Sequence, residues 1–362
     1  MNIYLNSLDI DTYRGIRNLK VKDFSSINIL VGNNNSGKTS LLEAIKILSQ
    51  PYDIANVIRV INSRSRTSQA NFIDTILSAF TLEEPDKNEK NINMRDSYYI
   101  KLGGNSNNNN ISLDIYGEIK KEIDFNNSDL DLDLDVNPVF EGAMKIINGN
   151  NKPENISFEI KPIKNIRVDE RENIYKAIFM STNVNLYNSC VNLYPEIIKQ
   201  EQKELFIEVL QIFDSNITDI SITDDMIWIH SKNKRTMPMF SYGTGMQKSL
   251  LLSLILVKSS GGIMLIDEIE TAIHTSALIE VFSFIIKACK KLNVQLFATT
   301  HSLESVDKLL KAANYDEDFD EKNDIIRVIT LRNSKKKTNA RVLTGKQAFT
   351  NRNEYEMELR VW

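Results

Sequence analysis

The chain has 362 residues, with 44 Lys and Arg against 48 Asp and Glu, a net charge of −4. That balance excludes a uniformly basic nucleic-acid coat, so any nucleic-acid contact must come from a local patch. The length suffices for a large buried core, and 42% hydrophobic with 25% charged residues is ordinary for a globular protein.

The first nine residues lack the basic and then apolar pattern of a signal peptide. Residues 3–10 alternate weakly and predict a strand. Residues 26–31 end in a second, apolar one. A helix is expected over 38–49, where Leu41, Leu42, Ala44, Ile45 and Leu48 share a face and Pro51 follows.

Residues 51–170 read as an inserted α+β lobe. Helices are expected over 54–61 and 72–80, and strands over 97–102, 111–123 and 156–163. Residues 105–110, 126–135 and 148–155 read as the loops between them. Asparagine occurs 40 times, and 105–110 is almost all Asn. Such a tract buries too little apolar surface to order itself. No internal repeat and no sustained heptad appears.

Residues 176–180 form a short apolar segment, followed by helical pattern to about 213. Residues 217–222 and 226–230 predict a strand pair turning at Asp224-Asp225. An apolar helix follows Gly245 through Val257. Its apolar run, 250–257, is far short of the ~20 residues that cross a membrane, so no membrane partner is expected. A buried strand over 263–266, a helix over 277–290 and a strand over 294–299 come next. Residues 325–348 read as a hairpin turning at 333–339. Strands alternating with helices predict an α/β fold, parallel in its second half. The two cysteines, Cys190 and Cys289, form no C-x-x-C. A thiolate zinc site and a disulfide scaffold are thereby excluded, and the expected compartment is the cytoplasm.

Four elements carry chemistry. Gly32-Asn33-Asn34-Asn35-Ser36-Gly37-Lys38-Thr39 fits G-x-x-x-x-G-K-[ST], between a predicted strand and a helix that continues at Ser40. Successive N–H groups of such a loop face phosphate oxygens. Lys38 would bridge the β- and γ-phosphates of ATP, and Thr39 would bind Mg²⁺. Ile263–Ile266 leads into Asp267 and Glu268, a strand end where α/β sheets bind ligands. Asp267 suits Mg²⁺ and Glu268 suits activation of water. Ser241-Tyr242-Gly243-Thr244-Gly245-Met246-Gln247 opens the apolar helix as a second anion-binding turn, and His301 follows the next strand.

Together these elements resemble the ABC-type ATPase heads, specifically the SMC-like and OLD-like bacterial "AAA family ATPases". Ile10-Asp11-Thr12-Tyr13-Arg14-Gly15-Ile16 is similar to that family's I-x-x-F-R-G-I, with Tyr13 for Phe. Asn34 falls on the Asn of G-x-N-x-S-G-K-T. Thr244-Gly245-Met246-Gln247 resembles the S-G-G-E/Q signature. Asp267-Glu268-Ile269-Glu270 with His274 resembles D-E-x-E-x-x-x-H, and His301 its switch histidine. The resemblance covers residues 1–50 and about 215–345.

The resemblance implies a P-loop NTPase of the ABC-type head class, formed by residues 1–50 and 171–362, with a mixed sheet and the 51–170 lobe inserted. It also implies Arg14 near the nucleotide. Two heads, as a homodimer or higher oligomer, would sandwich ATP between one P-loop and the partner's signature turn. OLD and Gabija-type proteins carry a TOPRIM nuclease after the head. None is expected here, as in the ATPase component of two-gene anti-phage systems such as PARIS. Leu130-Asp131-Leu132-Asp133-Leu134-Asp135 has D-x-D spacing but reads as a solvated acidic stretch.

Three functions follow as expectations. The first is an ATP-hydrolysing switch that controls a separate nuclease or toxin effector. The second is a slow or inactive ATPase acting as an ATP-stabilised scaffold. The third is a DNA-repair clamp using two basic clusters, Arg59/Arg64/Arg66 and Lys335–Lys337 with Arg332 and Arg341. Gln69 is a weak Q-loop candidate, and His230 reads as structural.

Overall fold

The computed structural model describes residues 2–64, 72–83, 97–123, 136–161, 169, 171–182, 185–197, 202–232, 235–315, 324–334 and 337–361. Arg66, Gln69, Lys335, Lys336 and the acidic run at 130–135 lie outside the described residues.

Two large sheets flank helix α1 (Lys38–Ser49). One is antiparallel. It joins β1 (Ser7–Tyr13) and β2 (Ile16–Val21) to β5 (Ser97–Ser106), β6 (Asn109–Ile123), β7 (Val136–Asn148) and β8 (Glu154–Ile160). Short β4 (Thr81–Glu83) lies on the end of β5. The order is β2-β1-β5-β6-β7-β8. Strands from residues 51–170 therefore extend the sheet begun by β1 and β2 rather than standing apart from it. Helices α2 (Ile54–Asn62) and α3 (Phe72–Leu77) pack on its core.

The second sheet is mixed, with order β16-β15-β3-β14-β13-β9. Its members are β3 (Ile27–Val31), β9 (Ala177–Met180), β13 (Ile263–Ile266), β14 (Gln295–Thr299), β15 (Ile326–Asn333) and β16 (Thr338–Thr344). All neighbours are parallel except β15 and β16. Both faces of β3, β13 and β14 are buried, as expected of parallel strands covered on two sides. Leu30, Leu265 and Phe297 face α1 and the antiparallel sheet. Ile29, Ile266 and Ala298 face the helices on the opposite side.

Those helices are α4 (Leu186–Ile197), α5 (Lys203–Gln211), α6 (Thr244–Lys258), α7 (Leu278–Leu292), α8 (Leu303–Ala312) and α9 (Gly345–Asn353). A three-stranded sheet of β10 (Ile217–Thr223), β11 (Met226–Ser231) and β12 (Met237–Pro238) packs beside them. Helix α6 is buried along nearly its whole length.

Three expectations are corrected. The asparagine tract at 105–110 is a tight hairpin. Asn105 pairs with Asn110, and only Asn107 and Asn108 turn, both at positive φ (49° and 64°). Asn enters that region more readily than other side chains, so turn chemistry outweighs low hydrophobicity. Strand β7 was unanticipated, because Gly142 and interspersed polar residues blur its alternation. The hairpin expected to reach residue 348 ends at Thr344, where a capping box with Gln347 starts α9.

A P-loop and an acidic strand end on one sheet edge

Register brings the site together. Parallel pairing sets Leu30 against Thr299 and Ile266 against Ala298. The carboxyl ends of β3, β14 and β13 therefore lie side by side, and each continues into one of the predicted segments.

After β3 the chain wraps through Gly32 (φ 145°), Asn35 (φ 61°) and Gly37 (φ 98°). A Cβ on Gly32 would lie 2.5 Å from the Leu331 carbonyl, so the turn has room for glycine only. Lys38 is buried and folds back into the loop. Its Nζ donates to the carbonyls of Gly32 (2.8 Å) and Asn33 (2.9 Å). Burial pushes this ammonium down to about 8, against the pull of Asp267, Glu268 and Glu270. Among the described residues the buried Ser36 hydroxyl has no partner. Asn33, Asn34 and Asn35 are exposed. Helix α1 starts without a side-chain cap, which leaves first-turn N–H groups for a ligand. An orphaned hydroxyl, an inward lysine and an uncapped helix start fit a phosphate group.

Thr39 Oγ1 donates to Asp267 Oδ1 at 3.0 Å and lies 3.2 Å from Oδ2. Asp267 also accepts from Thr299 Oγ1 at 2.7 Å, and the same hydroxyl accepts the Glu268 N–H at 2.8 Å. Thr299 thus binds the Asp267 carboxylate and the Glu268 backbone. Sequence reading missed it, although its place just before Thr300-His301 was a signal. Glu268 has φ 52°, a conformation costing a non-glycine residue about 1–2 kcal/mol. Its Oε1 lies 4.0 Å from His301 Nε2, and its Oε2 accepts from Thr271 Oγ1 at 3.0 Å. Glu270 accepts the His301 N–H at 3.2 Å.

Lys248 was also missed. It sits one residue past Gln247 on α6, is buried, and is pushed down to about 8 by burial against the pull of Glu270, Glu268 and Asp267. A lysine in a helix is ordinarily solvated, so only tertiary packing reveals it.

The signature turn lines a different cleft. Thr244 is exposed, Gln247 Nε2 donates to the Tyr242 carbonyl at 2.9 Å, and Met246 points into the core. Met246, standing where the resembled signature has glycine, therefore packs inward. A cleft of ≈ 660 Å³ runs past this turn to Ala272 and His274. A separate cleft of ≈ 910 Å³ borders Asn33–Ser36, with Gly15, Arg17 and Arg360.

Arg14 belongs to a buried ion cluster. Its Nε donates to the fully buried Glu43 (2.8 Å), which also binds Arg64 Nε (2.6 Å) and the Tyr13 hydroxyl (3.0 Å). Arg64 reaches Ser40 Oγ at 3.2 Å, so this ion cluster abuts the start of α1. Arg59 pairs with Asp53 at 2.8 Å. The cluster expected from Arg59 and Arg64 is thereby divided between two acidic partners. His230 lies 2.7 Å from Ser221 Oγ on the β10–β11 hairpin, away from these segments.

This sheet order, with its P-loop, acidic strand end and signature-type turn, defines an ABC-type P-loop ATPase head with a mixed sheet. Residues 27–307 match the family described as "AAA domain, putative AbiEii toxin, Type IV TA system". The chain belongs to that family. It is similar to a Helicobacter pylori protein named ATP/GTP phosphatase, 24% identical over 84% of this chain and 87% of that one. A 46-residue stretch is 48% identical to the DNA replication and repair protein RecF of Rickettsia conorii, covering 13% of each chain. Among solved structures, an Smc head bound to the C-terminal winged-helix domain of ScpA aligns over 96% of this chain and all of that one. The identity is 13% and the TM-score 0.49. Among the described residues, no helix is long and apolar enough to cross a membrane.

Proposed function

We propose that this protein is an ATP-hydrolysing switch. It binds Mg²⁺·ATP at the P-loop, pairs head to tail with a second copy across the nucleotide, and passes its state to a separate effector. That effector is a nuclease or toxin acting in phage defence. The observation that carries the reading is the meeting of the Thr39 hydroxyl with the Asp267 carboxylate, with Glu268 and His301 at the same sheet edge.

The roles follow from chemistry. Loop N–H groups and Lys38 hold the β- and γ-phosphates, Lys38 exchanging two carbonyls for phosphate oxygens. Thr39 and Asp267 are hard oxygen donors that would hold Mg²⁺ arriving with the nucleotide. Among the described residues no group of three or more His, Cys, Asp or Glu forms an all-protein metal cage, which suits a metal carried by the nucleotide. When bound, the ion offsets phosphate charge. Glu268 takes the proton of the attacking water, and His301 contacts the γ-phosphate end.

Pairing is supported by the two clefts. The P-loop cleft and the signature cleft share no lining residue, which suits a nucleotide that takes one cleft from each of two chains. Phe240, 54% exposed just ahead of the signature turn, is apolar surface suited to burial in that pairing.

The test is steady-state phosphate release from Mg²⁺·ATP with light-scattering mass. Glu268→Gln is expected to lose at least ~100-fold in turnover, retain ATP and double in mass. Wild-type turnover in that variant overturns the role of Glu268. A monomer holding ATP overturns the pairing. Turnover too slow to measure in the wild type, with ATP-dependent pairing intact, turns the protein into an ATP-stabilised scaffold.

A further inference from the structure

Residues 354–361 follow α9 back across β15 toward the P-loop, and successive contacts fix their course. Arg352 makes a two-point ion pair with Asp307 of α8 (2.7 and 2.9 Å) and donates to the Met357 carbonyl at 2.7 Å. Leu359 is fully buried, and its carbonyl accepts from Thr330 Oγ1 of β15 at 2.6 Å. Leu359 thereby sets the position of the residue after it. Arg360 lies with Nε and Nη2 each 2.8 Å from a Glu358 carboxylate oxygen. Its remaining nitrogen, Nη1, donates to the carbonyl of His301 at 3.3 Å.

His301 is consequently held at both main-chain groups. Glu270 takes its N–H, and Arg360 binds its C=O. The side chain between them stands 4.0 Å from Glu268. The Arg360–Glu358 pair is half-exposed at both partners, and such pairs add little stability, about 0–1 kcal/mol. Its consequence is geometric. Two of the guanidinium's nitrogens are occupied by the carboxylate, and the third is aimed at one carbonyl.

We propose that Arg360 is a positioning residue of the ATPase site. By holding the His301 carbonyl it fixes the imidazole at the γ-phosphate end of the P-loop, and it makes residues 354–361 a control point for hydrolysis. The proposal rests on the reading of His301 given above. A displacement of about 1 Å in a reacting group costs on the order of 100-fold in rate, and among the described residues Arg360 is one of two side chains that bond the His301 main chain.

The experiment is a double-mutant cycle on Mg²⁺·ATP turnover, with Arg360→Ala, His301→Ala and the pair, each checked for an unchanged melting temperature. Arg360→Ala is expected to lower kcat by about tenfold while KM stays within about twofold. Arg360→Lys, which keeps the charge but not the planar fork, is expected to recover only part of that loss. Glu358→Gln, which loosens the fork without touching the buried Leu359, is expected to fall between. In the His301→Ala background, Arg360→Ala is expected to cost nothing further.

An equal, additive loss in that background overturns the proposal, as does a rise in KM at unchanged kcat. Wild-type turnover in Arg360→Ala beside a slowed His301→Ala overturns this proposal alone. Wild-type turnover in His301→Ala overturns the reading of His301 and this proposal with it.

Discussion

Helices α1 and α6 both begin after a glycine, and neither has a side-chain cap. Helices α2, α8 and α9, in contrast, are capped by Asp53, Ser302 and Thr344. The two uncapped starts nevertheless differ. At α1 the glycine is left-handed, Gly37 at φ 98°, and a Cβ there would press on Ile16 at 2.9 Å. The loop before it closes on Lys38. At α6 the glycine is extended, Gly243 at φ −60° and ψ 153°, with nothing near its missing Cβ. One start is a finished cradle within the chain. The other is an open turn. The difference teaches that a glycine before a helix has two uses: a conformation that only glycine readily takes, or open space.

Breaking the cradle has the largest expected effect. Lys38→Ala removes the buried ammonium and is expected to weaken ATP binding by more than ~100-fold, about 2.7 kcal/mol or more, with the fold retained. Isothermal titration checks the first part and thermal melting the second. Gly37→Ala comes next. A left-handed alanine that also presses on Ile16 is expected to cost about 1–3 kcal/mol of stability, measured by denaturant unfolding, and to weaken ATP binding with it.

The pH dependence is smaller. Phosphate binding needs the ammonium form of Lys38, which is lost as pH rises through about 8. ATP affinity is therefore expected to be flat below pH 7 and to fall about fivefold between pH 8 and 9. Lys248 titrates in the same range. Lys248→Met leaves the fall in place if Lys38 is its source and abolishes it otherwise. The smallest effect belongs to the open turn. Gly243→Ala has space, so stability and ATP affinity of the single chain are expected to change by less than about twofold. A large loss in either means that the turn is as closely packed as the cradle.

Much of this was legible from residue order. The P-loop, the α1 boundaries, the β10–β11 turn at Asp224-Asp225 and the strand before Asp267 follow from local dihedral preferences and apolar spacing, which act over a few residues. The 105–110 tract misled because composition speaks about burial, whereas a two-residue turn needs only the right dihedrals. Helix α8 was missed because its apolar face is short, and Ser302, which caps it, looked like part of the histidine loop. Arg14 matched a family motif by position, and its guanidinium binds Glu43 in a cluster that no local pattern records. A carboxylate fully buried beside two arginines costs about 3–5 kcal/mol if one partner is removed, which ties Arg14 to the fold as firmly as to any ligand.

The sequence by itself determined which groups are available: a phosphate loop, two carboxylates at a strand end, a histidine after the next strand and a second glycine-rich turn. Each is written in fewer than ten adjacent residues, because turns, caps and strand ends are short-range. Only the tertiary structure decided which of them meet. Thr39 reaches Asp267 across 228 positions, and Arg360 reaches His301 across 59. Those meetings are set by the register of parallel strands and by one buried leucine. They depend on how two hydrophobic faces pack, and no local pattern records that.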